Sequence, residues 1–168
     1  MLEMQVHAIA LDTSSNSPVI ILNGKEDETI MVPIWVGLLE ATSIASTMQN
    51  LSFDRPMTHD LFKHFMDYIH FKIEKVEITE LVDNTFLALI YFSSEGFSFS
   101  LDARPSDAIS LALKYKAPIF VSESIIEEES GIDPGQDFQM SDVANHDEEE
   151  WAEFLKNLSP EAFGKYKM

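Results

Sequence analysis

At 168 residues, 45% of them hydrophobic, the chain is long enough to bury one substantial core. It contains no cysteine, which excludes a disulfide framework and thiolate zinc sites and fits a reducing, cytoplasmic setting. The formal net charge of -18 argues against a tight, non-specific hold on nucleic acid, because such surfaces carry basic patches that release counterions from phosphates.

The acidic excess falls late in the chain. Residues 117–155 contain no Lys or Arg, and Lys156, Lys165 and Lys167 follow them. The opening MLEMQVHAIALD lacks the basic start and apolar centre of a signal peptide. No apolar run approaches the roughly 18 residues of a membrane span. A soluble protein without a membrane partner is therefore expected.

In chain order, Glu3 to Asp12 and Pro18 to Asn23 read as strands joined by the turn-rich TSSNS. NGKEDE turns into a third strand, Thr29 to Val36, and Gly37 ends it. LLEATSIASTMQN then reads as a short helix reaching about Asn50. A second helix runs from Thr58 to about His70, with Leu61, Phe62, Phe65, Met66 and Ile69 on an apolar face. His59, Asp60, Lys63, His64 and Asp67 occupy its polar face.

Phe71 to Leu81, Thr85 to Phe92 and Phe97 to Leu101 form a predicted meander, with Asp83-Asn84 and Ser93 to Gly96 as its turns. A buried helix from Asp107 to Lys116 follows, with Ser106 as its expected N-cap. The strand Pro118 to Val121 and an acidic helical turn to about Glu129 complete the main unit.

Two groups of three strands, each followed by a helix, predict an α+β fold with a mixed sheet built from two related β-β-β-α halves. An internal echo supports duplication. Arg55, Pro56, Thr58 and Asp60 repeat the order of Arg104, Pro105, Ser106 and Asp107, offset by one residue. The main domain is expected to span residues 1–129. Residues 130–145 have the Gly, Pro, Ser and Asp content of a linker, and residues 146–168 form an acidic helical tail. In that tail Trp151, Phe154, Leu155 and Leu158 make one apolar stripe, which invites docking on the chain's own core or self-association into a homo-oligomer.

The segment LDARPSDAISLALKYKAPIFVSE, Leu101 to Glu123, packs charged groups against the mouth of a buried helix. Such groups cost free energy there unless they are paired or used. This segment resembles the bifunctional nuclease family, whose shared unit is the BFN domain. VPIWVGLLEA (Val32 to Ala41) and RPMTHDLFKHFM (Arg55 to Met66) carry the same resemblance, and VEITELVDNTFLALI (Val76 to Ile90) fits between them. EFLKNLSPEAFGKY (Glu153 to Tyr166) looks like the ending of many members.

The resemblance implies cleavage of both DNA and RNA, and the charge balance makes nucleic acid a weakly bound substrate. It brings no assignment of catalytic residues. Hydrolysis of a phosphodiester commonly uses carboxylates that hold Mg²⁺ or Mn²⁺. Glu40, Asp60, Asp102 and Asp107 are the candidate ligands, because they lie in the resembling segments near predicted element ends.

His59 is a candidate general base, histidine being the side chain that ordinarily titrates near neutrality. Arg104 and Arg55 are candidates to clamp a phosphate in bidentate fashion. Each has a structural alternative. Asp60 and Asp107 suit first turns of helices, Asp60 and His64 suit an i, i+4 pair, and the arginines suit braces at helix starts.

Trp35 and Trp151 follow the apolar pattern and are expected in the core. The sequence contains no nucleophile elbow, P-loop, dinucleotide fingerprint or H-E-x-x-H helix. Two readings therefore stand: a metal-assisted nuclease acting through His59, Asp60, Asp102, Arg104 and Asp107, or a non-catalytic interaction or regulatory protein in which these residues brace two halves. An enzyme should gather its carboxylates around a cleft. A brace should show saturated arginine–carboxylate pairs and no cleft.

Overall fold

The alternation of residues 72–103 folds as a three-stranded antiparallel meander, β4 (Lys72–Val82), β5 (Thr85–Ser94) and β6 (Phe97–Ala103). Its first turn uses Asp83 and Asn84 at φ 49° and 60°. Both are left-handed, as a tight hairpin following the right-handed twist of its strands requires. The second turn places Gly96 at φ 76°. An equivalent meander, β1 (Leu2–Asp12), β2 (Pro18–Gly24) and β3 (Met31–Trp35), opens the chain. The computed structural model describes residues 1–12, 14–15, 17–51, 53–129 and 138–140, so the expected helical tail, 146–168, lies outside the described residues.

Between and after the meanders come α1 (Leu38–Met48), α2 (Thr58–Tyr68), α3 (Pro105–Tyr115), β7 (Ile119–Val121), α4 (Glu123–Glu129) and β8 (Phe138–Met140). The result is the expected α+β fold. One mixed sheet has the order β3-β2-β1-β7-β4-β5-β6, with β8 added to β1. β7 is the seam: it runs parallel to β4, Val76 opposite Ile119, and antiparallel to β1, Leu2 opposite Val121. β8 pairs Ala10 to Asp12 of β1 and comes from the stretch expected as a linker.

Crossing from β6 to β7 obliges α3 to lie over the sheet. It packs on β4 and β5 and against α1 and α2. Ala108, Ile109, Leu111 and Ala112 are buried there. Apolar residues of β2 alternate between faces. Ile20 and Leu22 join the main core with Val76, Ile78, Phe92 and Ile109, whereas Val19 and Ile21 form a small cluster with Ala10.

Four expectations change. α3 starts at Pro105 with Arg104 as N-cap, so Ser106 lies buried inside the first turn instead of capping it. The fixed φ of proline suits the first helical position, which moves the start forward. α2 starts at Thr58 as expected, with Met57 as its N-cap, and the Asp60 carboxylate accepts the Met57 backbone N–H at 3.1 Å. Consequently the Arg-Pro echo is not structural. Arg104-Pro105 opens α3, while Arg55-Pro56 lies ahead of the α2 cap. The first meander is followed directly by α1, opened at Gly37.

Trp35 is exposed, not core. Its position points outward on an edge strand, where its indole N–H donates to Asp12 Oδ2 at 2.9 Å. Trp151 lies outside the described residues. Finally, α2 buries only Met66 fully, with Phe62 packed beside it, and leaves Leu61 and Phe65 exposed. Its polar face docks instead. Asp60 pairs with Lys114, and the Tyr115 hydroxyl reaches the Lys63 carbonyl and Asp67, each at 3.1 Å. The side chains expected to be solvated thus orient the helix against α3.

Candidate active site

The first turns of three helices meet on one side of the sheet. Glu40 stands in the first turn of α1, His59 and Asp60 in that of α2, and Asp107 in that of α3, with Arg104 at the α3 cap. Carboxylates are favoured at these positions by the partial positive charge of a helix start. Gly37 leaves room for the Glu40 carboxylate, whose Oε2 occupies the space a Cβ there would need.

Arg104 links two of these helices. Its Nε donates to Asp107 Oδ2 at 2.7 Å and its Nη2 to Asp107 Oδ1 at 3.1 Å, a bidentate pair. Its Nη1 donates to Glu40 Oε1 at 2.7 Å. His59 spans the gap from Asp107 to α1. Its Nε2 lies 3.0 Å from Asp107 Oδ1, and its Nδ1 lies 3.0 Å from the Ser43 hydroxyl. Beside it, Lys114 donates to Asp60 Oδ1 at 2.5 Å.

These groups line a cleft of about 320 Å³ whose apolar wall includes Leu39, Leu51, Phe53 and Met57. That volume lies near the lower end of small-molecule sites. Asp102 is not among the lining residues. It lies exposed on β6 in a neighbouring groove on the far side of the Arg104–Glu40 pair, with Trp35 and Leu87. Arg55 is exposed and makes no ion pair among the described residues.

Burial acts to raise the Asp107 pKa, but hydrogen bonds from Arg104 and His59 and the Arg104 charge outweigh it, so the carboxyl is held below the ordinary aspartate value. Asp60 behaves alike: burial raises it, and Lys114 with the Met57 N–H brings it below. Arg104 is pushed further up, chiefly by its bonds to Asp107.

A carboxyl whose pKa is lower folded than unfolded contributes stability above the unfolded value. That stability is lost as pH falls through the folded one. Acidification below about pH 4, the ordinary aspartate range, is therefore expected to lower the thermal midpoint. The fall should be steeper for wild type than for Asp107→Asn, and melting curves across that range check it. Parallel slopes would show that Asp107 gains nothing from its partners.

Ser43 and Lys114 were not anticipated. Both had a signal: Ser43 stands three residues after Glu40 on the same face of α1, and Lys114 stands two turns after Asp107 on α3.

As arranged, the candidate ligands do not suit a resident Mg²⁺ or Mn²⁺. Among the described residues no group of three or more His, Asp or Glu side chains converges to hold a metal ion. Glu40 and Asp107 are engaged by Arg104, Asp60 by Lys114 and the α2 backbone, and Asp102 points elsewhere.

The pattern of the bifunctional nuclease domain matches residues 20–133, a span that contains every residue of the cleft. The chain belongs to the bifunctional nuclease domain family. An uncharacterized protein of Mycobacterium tuberculosis is 32% identical to it over 163 residues, 96% of this chain and 97% of the relative. Bifunctional nuclease 1 of Arabidopsis thaliana is 28% identical over 109 residues, 63% of this chain and 34% of the plant protein. Bifunctional nuclease 1 of Oryza sativa subsp. indica is 27% identical over 120 residues, 70% and 36% respectively. This bifunctional nuclease domain chain thus spans about a third of those plant proteins. Among its described residues no helix is long and apolar enough to cross a membrane.

Proposed function

We propose that the cleft between α1, α2 and α3 is a phosphodiesterase site that hydrolyses DNA and RNA. The observation that carries this reading is the fixed imidazole. His59 is held between a carboxylate and a hydroxyl, inside a cleft that also contains a guanidinium and an ammonium. An ionised Asp107 can only accept, so it fixes the ring proton on Nε2 and turns the Nδ1 lone pair to the hydroxyl. His59 is then the general base, and once protonated the acid for the leaving oxygen.

A guanidinium has five N–H donors, and three of those of Arg104 serve Asp107 and Glu40. In this reading the others bind a phosphate oxygen, with Lys114 as a second cation. The family relationship supports the substrate class. The net charge of -18 implies weak, salt-sensitive binding.

Labelled single-stranded and duplex DNA and RNA, incubated with wild type and Asp107→Asn, test the reading. The expected result is cleavage by wild type and a loss of about 100-fold or more in the variant, the size of a general-base contribution. No cleavage by either protein would sink it. Mg²⁺ or Mn²⁺ on Glu40, Asp60, Asp102 or Asp107 is a separable arm of this proposal, through which no step above passes, and it would require these carboxylates to leave their present arrangement and ion pairs. Chelator sensitivity restored by either ion would support that arm.

The brace reading also has an observation in its favour, because Arg104 is engaged by carboxylates of both α1 and α3. It expects Asp107→Asn to unfold the protein and wild type to cleave nothing.

A further inference from the structure

α1 carries four hydroxyl side chains, and one of them behaves differently. Thr42, Ser46 and Thr47 donate to the carbonyls of Leu38, Thr42 and Ser43, each four residues back along the helix. This is the ordinary way a helix satisfies a buried hydroxyl. Ser43 instead turns out of its helix and meets His59 Nδ1 at 3.0 Å. The ring continues to Asp107 at 3.0 Å, and Asp107 to Arg104 at 2.7 Å. Serine, histidine and aspartate thus come from three different helices, in the order of an activated nucleophile, its base and the group that orients the base. The imidazole is used the other way round from the serine proteases, with Nδ1 toward the serine and Nε2 toward the carboxylate. Either ring nitrogen can act as base, because the tautomer is set by whichever nitrogen the carboxylate engages.

We infer that Ser43 is the nucleophile of this cleft and carries a covalent phosphoryl intermediate, with His59 as its base and Asp107 as the residue positioning His59. The inference rests on the phosphodiesterase reading and deepens it. In the first step Ser43 Oγ attacks phosphorus. Its proton passes to His59 Nδ1, an Oγ–P bond forms, and the bond from phosphorus to the leaving oxygen breaks. His59 then gives that proton to the leaving oxygen. In the second step water attacks the phosphoseryl phosphorus while His59 Nδ1 takes the water's proton, and the Oγ–P bond breaks. The proton returns to Oγ. One water is consumed, and a phosphodiester becomes a phosphomonoester and an alcohol, with no oxidant or reductant required.

A fluorophosphonate reports this nucleophile without any nucleic acid, since attack by Oγ forms an Oγ–P bond and expels fluoride. Wild type, Ser43→Ala and His59→Ala would be treated alike, followed by intact mass, peptide mapping, thermal melting and nucleic-acid cleavage. The expected result is one adduct on Ser43 in wild type, no adduct at residue 43 in Ser43→Ala, and labelling slowed at least about 100-fold in His59→Ala. Wild type unlabelled at Ser43 would overturn the inference and needs no variant to fold. Equal labelling rates in wild type and His59→Ala would overturn it too. Undiminished cleavage by Ser43→Ala overturns the inference and leaves the phosphodiesterase reading standing. Labelling of Ser43 in a protein that cleaves no nucleic acid supports the nucleophile and removes the reading beneath it.

Discussion

His59→Ala protein is expected to lose about 10²–10⁴-fold in nucleic-acid cleavage, the contribution of a positioned general base. Its fold should be retained. Removing the ring deletes the bonds to Ser43 and Asp107, each worth about 1 kcal/mol net. The Asp107 carboxylate is not orphaned, because Arg104 still holds both of its oxygens. A destabilisation of about 1–2 kcal/mol is therefore expected, measurable by urea unfolding. Free imidazole diffusing into the emptied site should restore part of the rate. A brace between α1 and α3 predicts otherwise: no cleavage to lose, and nothing for imidazole to restore. Cleavage at the wild-type rate by folded His59→Ala would remove this residue from the chemistry.

Phe92→Ala is expected to show the largest loss of stability, about 3–5 kcal/mol. Phe92 lies on β5 with 1% of its surface exposed. Its ring stacks on Phe99 of β6 with centroids 5.0 Å apart, and Phe62 of α2 meets it edge-on at 6.3 Å. Truncation opens a cavity beneath α2, and the nearest aromatic rings would have to leave their positions to fill it. The midpoint of urea unfolding reads this directly. Because Phe62 is one of the few apolar residues that seat α2, the same variant should also weaken the placement of His59. A change below about 1 kcal/mol would mean that the second meander is far more adaptable than native packing allows.

The sequence by itself determined the secondary elements from β1 to α4, though not β8, because their signals are local. Period-2 alternation over residues 97–101, the Asp83-Asn84 turn and the proline before an apolar helical run each specify backbone without reference to distant residues. They also determined the α+β class. The family was legible in the same short segments, since the residues around Arg104 and Asp107 are contiguous.

Tertiary structure alone decided which side chains meet. His59 and Asp107 are 48 residues apart, Arg104 and Glu40 are 64 apart, and no periodicity relates them. The orientation of α2 was hidden for a related reason. Amphipathic spacing locates an apolar face but cannot weigh it against Asp60–Lys114 and Tyr115–Asp67, which turn the polar face inward. Asp102, only two residues from Arg104, is left in a neighbouring groove because β6 ends at Ala103 and the chain turns at Arg104 into α3, which carries Asp107 to the cleft. Ser43 is put on the right face of its helix by its spacing from Glu40, but that spacing does not by itself single it out from the other hydroxyls there. Its significance comes from where α2 and α3 place an imidazole and a carboxylate.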